Sequence, residues 1–130
     1  MSEFDPYKAV LEFHEKFGAV VGESPSIPDS GTVALRINLI EEEVDELKAA
    51  LAEEDLVATA DALADLLYVT YGTAVSFGVD IRPVFDEVHR ANMTKEGGPT
   101  RADGKILKPD GWVPPRVDEV LNDQMGSSSS

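Results

Sequence analysis

Residues 41–46 read Glu-Glu-Glu-Val-Asp-Glu, and within that run Glu42, Glu43 and Glu46 form an E-E-x-x-E unit. On a helix Glu42 and Glu46 stand one turn apart at i, i+4, and Glu43 and Glu46 at i, i+3, so three carboxylates can converge on one side. Like charges at that spacing destabilise a helix unless a cation neutralises them. Asp61 and Asp65, again i, i+4, are the only charges inside the apolar stretch 56–76. Burying an unpaired carboxylate costs on the order of several kcal/mol, so these two are expected to meet something positive. The simplest positive partner is one or two Mg²⁺ ions clamped between two helices, with Mn²⁺ as a substitute. The alternatives are a solvated acidic face for Glu41 to Glu46, and salt bridges from Arg36 or Arg90 to the aspartates.

Composition narrows the chemistry. The 130 residues contain no cysteine and two histidines, so neither a disulfide framework nor a thiolate metal site is available and any metal is held by oxygen or by the two histidines, with oxygen-loving ions first. A di-iron bundle needs Glu-x-x-His on two helices, and only Asp86-Glu87-Val88-His89 comes near that pattern. His14 sits among apolar residues and reads as structural, while His89 reads as a local hydrogen-bonding group or a phosphate contact. A net charge of −14 argues against a general nucleic-acid binder. Residues 90–116 nevertheless carry six bases against three acids. An acidic body with a basic tail suits a ligand of metal-bridged phosphates, carboxylates taking the cation and Lys and Arg the anion. No P-loop, Gly-x-Ser-x-Gly elbow or dinucleotide-binding turn is present. The N-terminus lacks the order of a signal peptide and no apolar run has the length of a membrane span, so a cytoplasmic protein is expected.

Helices must position these groups. Asp5-Pro6 caps a first helix that stops at Gly18. A second opens near Ser30, with Val33, Ile37, Ile40, Val44, Leu47 and Leu51 as its expected packing stripe. Asp55 caps a third through about Ser76, whose face of Val57, Ala60, Leu63, Ala64, Leu67 and Thr70 or Tyr71 is apolar enough to be central or buried between subunits. Asp80 opens a fourth that fades near Lys95, and one further turn is expected from Val117 to Leu121. The expected architecture is all-α, a small four-helix bundle-like domain over 1–123, completed by a second copy as a dimer or a dimer of dimers. Residues 97–116 are its basic, breaker-rich tail and 124–130 a flexible end.

Four segments in order, LIEEEVDEL, DALADLLYVTYGTA ending in GVD, EVHRANMTK and RADGKILKPDGW, resemble the all-α NTP pyrophosphatases, specifically MazG-like and phosphoribosyl-ATP pyrophosphohydrolase-like proteins. The resemblance implies that Glu42, Glu43 and Glu46 are Mg²⁺ ligands and that Asp65 is the aspartate of an E-x-x-D motif. Ala62 stands where that motif has glutamate, and Asp61 supplies a carboxylate one residue earlier. It also implies that Asn92 and Lys95 contact a triphosphate with Arg90 nearby, that Lys105 and Lys108 lie on a flap covering the substrate, and that Asn38 and Tyr68 shape a base or sugar pocket. Trp112 is expected to pin the tail. The implied activity is Mg²⁺-dependent hydrolysis of an NTP or dNTP to the monophosphate and pyrophosphate, in nucleotide-pool control or house-cleaning. Water attacks in line and Glu43 or Glu46 takes its proton. Two alternatives are a phosphoribosyl-ATP diphosphatase and a catalytically silent metal-binding bundle, the latter suggested by Ala62.

Overall fold

Aspartate caps set the starts of the first three helices in the computed structural model, which describes residues 3–126. Asp5 accepts the Lys8 N–H ahead of α1 (Pro6–Phe17), Asp29 that of Thr32 ahead of α2 (Ser30–Ala52), and Asp55 that of Ala58 ahead of α3 (Leu56–Ser76). Each satisfies a donor that helix geometry leaves without a partner. Gly18 ends α1 in the left-handed region at φ 74°. α4 (Ile81–Asn92) and α5 (Val117–Gly126) follow, and no strand forms among the described residues. The protein is therefore all-helical, with a fifth helix longer than the single turn expected, running through Gly126. Serines 127–130 of the expected flexible end lie outside the described residues. Among the described residues no single helix is long and apolar enough to cross a membrane.

By its contacts the chain divides into two compact units, 1–80 and 81–130. In the first, α3 packs against both α1 and α2. The three-residue link 53–55, with Glu54 at φ 51°, folds α3 back along α2. Arg36 reaches Val69 and Thr73 while Ala50 shares a groove with Ala58, so the two helices run antiparallel.

Their contact faces differ in part from the expected ones. On α2 Val33, Ile40, Val44 and Leu47 of the expected stripe are at least part-covered, together with Arg36, Glu43 and Ala50, whereas Ile37 and Leu51 are about half exposed. On α3 the covered positions are Ala58, Ala62, Asp65, Val69, Gly72 and Ser76, and the expected face with Val57, Leu63 and Leu67 points outward. Periodicity alone marks where apolar side chains recur, and both helices carry more of them than one neighbour can cover. The face that wins is the one whose small residues let the backbones approach. At Gly72 a Cβ would strike the guanidinium of Arg36 and the imidazole of His14.

Arg36 is 6% exposed, and burial lowers its pKa from the usual arginine value. It donates from Nη2 to Val69 O (2.9 Å) and from Nε to Thr73 Oγ1 (3.3 Å). The carbonyl of Val20 accepts from both His14 Nδ1 (2.9 Å) and Ser76 Oγ (2.9 Å), tying the loop after α1 to the end of α3. Because a carbonyl only accepts, His14 carries its proton on Nδ1, and its role is structural as expected. Gly72→Ala is expected to destabilise the protein by about 1–3 kcal/mol through forced displacement of Arg36. Chemical denaturation read by helical circular dichroism checks this, and an unchanged midpoint would show that the packing yields freely.

Candidate metal centre

Glu43 enters the α2–α3 interface because it lies on the same α2 face as Arg36 and Leu47. Asp65 faces it from α3, and Glu46 follows Glu43 by three residues. One carboxylate oxygen from each of Glu43, Glu46 and Asp65 lies within 4.8 Å of the others. Glu43 and Asp65 are half-buried, and Glu46 opens to solvent. Among the described side chains, Glu43 Oε2 is the one buried polar atom without a hydrogen-bond partner. Such an oxygen carries a desolvation cost that nothing in the chain offsets.

The electrostatics agree with the geometry. Burial raises the Glu43 pKa above the ordinary glutamate value, followed by repulsion from Glu46 and Asp65, a hydrogen bond with Glu46, and repulsion from Glu42. Without a cation, Glu43 therefore holds its proton more tightly than a free glutamate does. Oxygens sharing one octahedral Mg²⁺ stand roughly 3–4 Å apart, so only small side-chain movements separate this cluster from a ligand set. Three hard donors and an uncompensated buried oxygen fit a divalent cation.

Two expected ligands stand outside this group. Glu42 is exposed, close enough to affect Glu43 electrostatically but not among the converging oxygens. Asp61 is exposed rather than buried. With Glu46 it lines an open groove of about 320 Å³ floored by Ala49, Ala50, Ala58 and Ala62. Ala62 is 4% exposed on the α2-facing side, one turn before Asp65, so a glutamate there would point into the interface, whereas Asp61 stays exposed on the groove beside it. Neither arginine bridges these aspartates: Arg36 is spent on neutral acceptors and Arg90 on Glu87. Asn38 is exposed on α2, and Tyr68 packs its ring edge-on against Phe13 at 5.6 Å.

The basic residues of the second unit divide by partner. Arg90 places Nε and Nη2 on the two oxygens of Glu87, each at 2.8 Å. Glu87 Oε2 also accepts the Arg116 N–H at 2.7 Å, and these bonds hold its pKa down to about 2. Reading the sequence for ligands missed this staple between α4 and the start of α5, although Glu87 and Arg90 at i, i+3 were its signal. Arg101 pairs with Asp103 in a tight turn flanked by the Thr100–Ile106 bridge, where Lys105 is exposed. Asn92 ends α4, exposed. Trp112 is anchored as expected: its Nε1–H donates to Ala91 O at 2.9 Å, and Ala91 is fully buried. Lys95 and Lys108 set their ammonium groups 5.2 and 5.4 Å from the Trp112 ring centre. Each such contact contributes about 0.5–1 kcal/mol at an exposed site, comparable to the repulsion between two nearby cations in water.

A carboxylate cluster on an antiparallel helix pair defines the class, an all-α protein with a candidate divalent-metal centre. The family model described as phosphoribosyl-ATP pyrophosphohydrolase matches residues 10–92, and the chain belongs to that family, within the all-α MazG-like NTP pyrophosphatase superfamily. The match includes the acidic cluster and ends before the Lys95–Trp112 segment. An uncharacterized protein of Acanthamoeba polyphaga mimivirus is 39% identical over 84 residues, covering 58% of this chain and 32% of the viral protein. The chain thus matches about a third of the length of that relative.

A raised carboxyl pKa has a definite sign in stability. Between the ordinary glutamate value and the raised one, the folded chain binds a proton that the unfolded chain has released, so this contribution is lost as pH rises through the window. The melting temperature of the metal-free protein, relative to Glu43→Gln, is therefore expected to fall as pH rises above the ordinary glutamate value. Stabilisation by Mg²⁺ or Mn²⁺ is expected to grow over the same range, because the cation competes with that proton. Calorimetric melts with and without metal check both, and equal metal effects in wild type and Glu43→Gln would remove Glu43 from the site.

Proposed function

We propose that this protein is a divalent-metal-dependent nucleoside triphosphate diphosphohydrolase, converting an NTP or dNTP of the cytoplasmic pool to the monophosphate and pyrophosphate. The observation that carries the reading is the buried, unpartnered Glu43 Oε2 inside the cluster with Glu46 and Asp65. Family membership supports hydrolysis of a pyrophosphate linkage.

Glu43, Glu46 and Asp65 are the residues that would hold the ion, with Glu42 and Asp61 at its periphery. Mg²⁺, or Mn²⁺ in its place, supplies neutralisation of the phosphate oxygens and acidification of water. Glu43, or Glu46 beside it, receives the proton of the water that attacks the α-phosphorus as the α–β anhydride bond breaks. Within the second unit, Lys95 and Lys108, with Asn92 and Lys105, are the proposed phosphate-binding groups.

The family description favours one sibling reading, hydrolysis of phosphoribosyl-ATP. A panel of NTPs, dNTPs and phosphoribosyl-ATP with Mg²⁺ or Mn²⁺ separates the two by which compound yields pyrophosphate. The expected result is release from one preferred nucleoside triphosphate, lowered at least about 100-fold in Glu43→Gln. Metal-dependent stabilisation without turnover would identify a silent metal-binding bundle and make Ala62 the reason.

The outward face of α3, where Leu56, Leu63 and Leu67 are about half to four-fifths exposed, supports a homodimer as the working form. Light scattering should give at least twice the chain mass, and Leu67→Glu should return the monomer. A monomeric wild type would sink this part of the proposal.

A further inference from the structure

Three observations in the second unit meet at Trp112. Its indole N–H is bonded to the main chain at the last turn of α4, which fixes where the ring stands. Lys95, just after α4, and Lys108, from the tail, both place their ammonium groups over that ring, so the two cations are no farther apart than the sum of their distances to its centre. The neighbouring arginines are neutralised, Arg90 by Glu87, Arg101 by Asp103 and Arg116 by Glu119, whereas among the described residues neither lysine has a carboxylate partner. A cavity of about 360 Å³ touches Trp112 and is lined also by Arg90, Thr94 and Asp110, while Lys95 and Lys108 lie outside its lining.

An aromatic face attracts an ammonium group but does not cancel its charge. Two lysines drawn to one ring therefore concentrate positive potential that an anion relieves, and ammonium groups suit phosphate oxygens as point charges. An anion with charge spread over two linked phosphates suits two such cations better than a single phosphate does.

We infer that Trp112 is a positioning residue that gathers Lys95 and Lys108 into a single clamp for a polyphosphate, the pyrophosphate portion of the substrate. The inference rests on the diphosphohydrolase reading for its substrate and on the second unit alone for its geometry. It extends beyond the family match, which ends at residue 92.

Trp112 is the only tryptophan in the chain, so its fluorescence and indole N–H resonance report on the clamp directly. The full-length protein is titrated with inorganic pyrophosphate at constant ionic strength in metal-free buffer, beside orthophosphate and sulfate. A saturable indole response is expected, with pyrophosphate bound roughly tenfold more tightly than either control. Lys95→Met and Lys108→Met should each weaken binding severalfold. Trp112→Leu, followed by backbone resonances, should weaken it roughly tenfold although both lysines remain. Trp112→Phe, which keeps a ring, should weaken it less and covers the case in which Trp112→Leu does not fold. Lys95→Met combined with Trp112→Phe should cost less than the two single losses together, because the ring acts through the lysine. Undiminished pyrophosphate binding by folded Trp112→Leu, additive losses in the double variant, or an indole response no different from that to sulfate would each overturn the inference. Pyrophosphate release from nucleotides by wild type is assayed in parallel. Turnover with binding independent of Trp112 defeats the clamp alone; a working clamp with no turnover of any nucleotide defeats the hydrolase reading alone.

Discussion

A carboxylate oxygen held away from water inside a helix–helix contact is the constraint on which the first unit depends. Glu43 is on the covered face of α2 because that face also carries Arg36, Leu47 and Ala50, and α3 offers it small residues at Ala58, Ala62 and Gly72. A bulkier α3 face would separate the helices and let water reach Oε2. The narrow spacing keeps that oxygen dry, brings Asp65 opposite it, and makes the site costly until a cation enters. Stability is thereby traded for a place where positive charge is wanted.

Charge along this interface is segregated. Two turns from Glu43, Arg36 is buried against a carbonyl and a hydroxyl instead of a carboxylate. The acidic cluster consequently has no internal counter-ion among the described residues, as its raised proton affinity reflects. Had Arg36 reached Asp65, the same residues would have formed an ordinary ion-pair network with little attraction for a metal.

The second unit solves a different problem, holding an irregular tail in place with few apolar residues. Two polar links do this, the Trp112 indole on the Ala91 carbonyl and the Glu87 carboxylate shared between Arg90 and the Arg116 backbone. Both use α4 as the rigid support, and they determine which cations are consumed by the fold and which stay available. Arginine's planar fork suits the first task and lysine's single mobile charge the second.

Much of this was legible in the sequence. Aspartate caps and a terminal glycine marked the helices, because backbone groups at helix ends demand local partners. The E-E-x-x-E spacing marked Glu43 and Glu46 as near neighbours, since three residues on a helix return to the same side. Trp112 among prolines marked an anchor. Only the tertiary structure decided which face of α2 met which face of α3, because α3 is apolar nearly all round and α2 carries apolar residues on more than one side, so periodicity does not choose between faces. That rotation drew Asp65 in, left Asp61 and Glu42 out of the converging group, and buried one oxygen of Glu43. It likewise took spatial proximity, not spacing, to tie the Arg116 backbone to Glu87 and to bring Lys95 and Lys108, distant along the chain, to one ring.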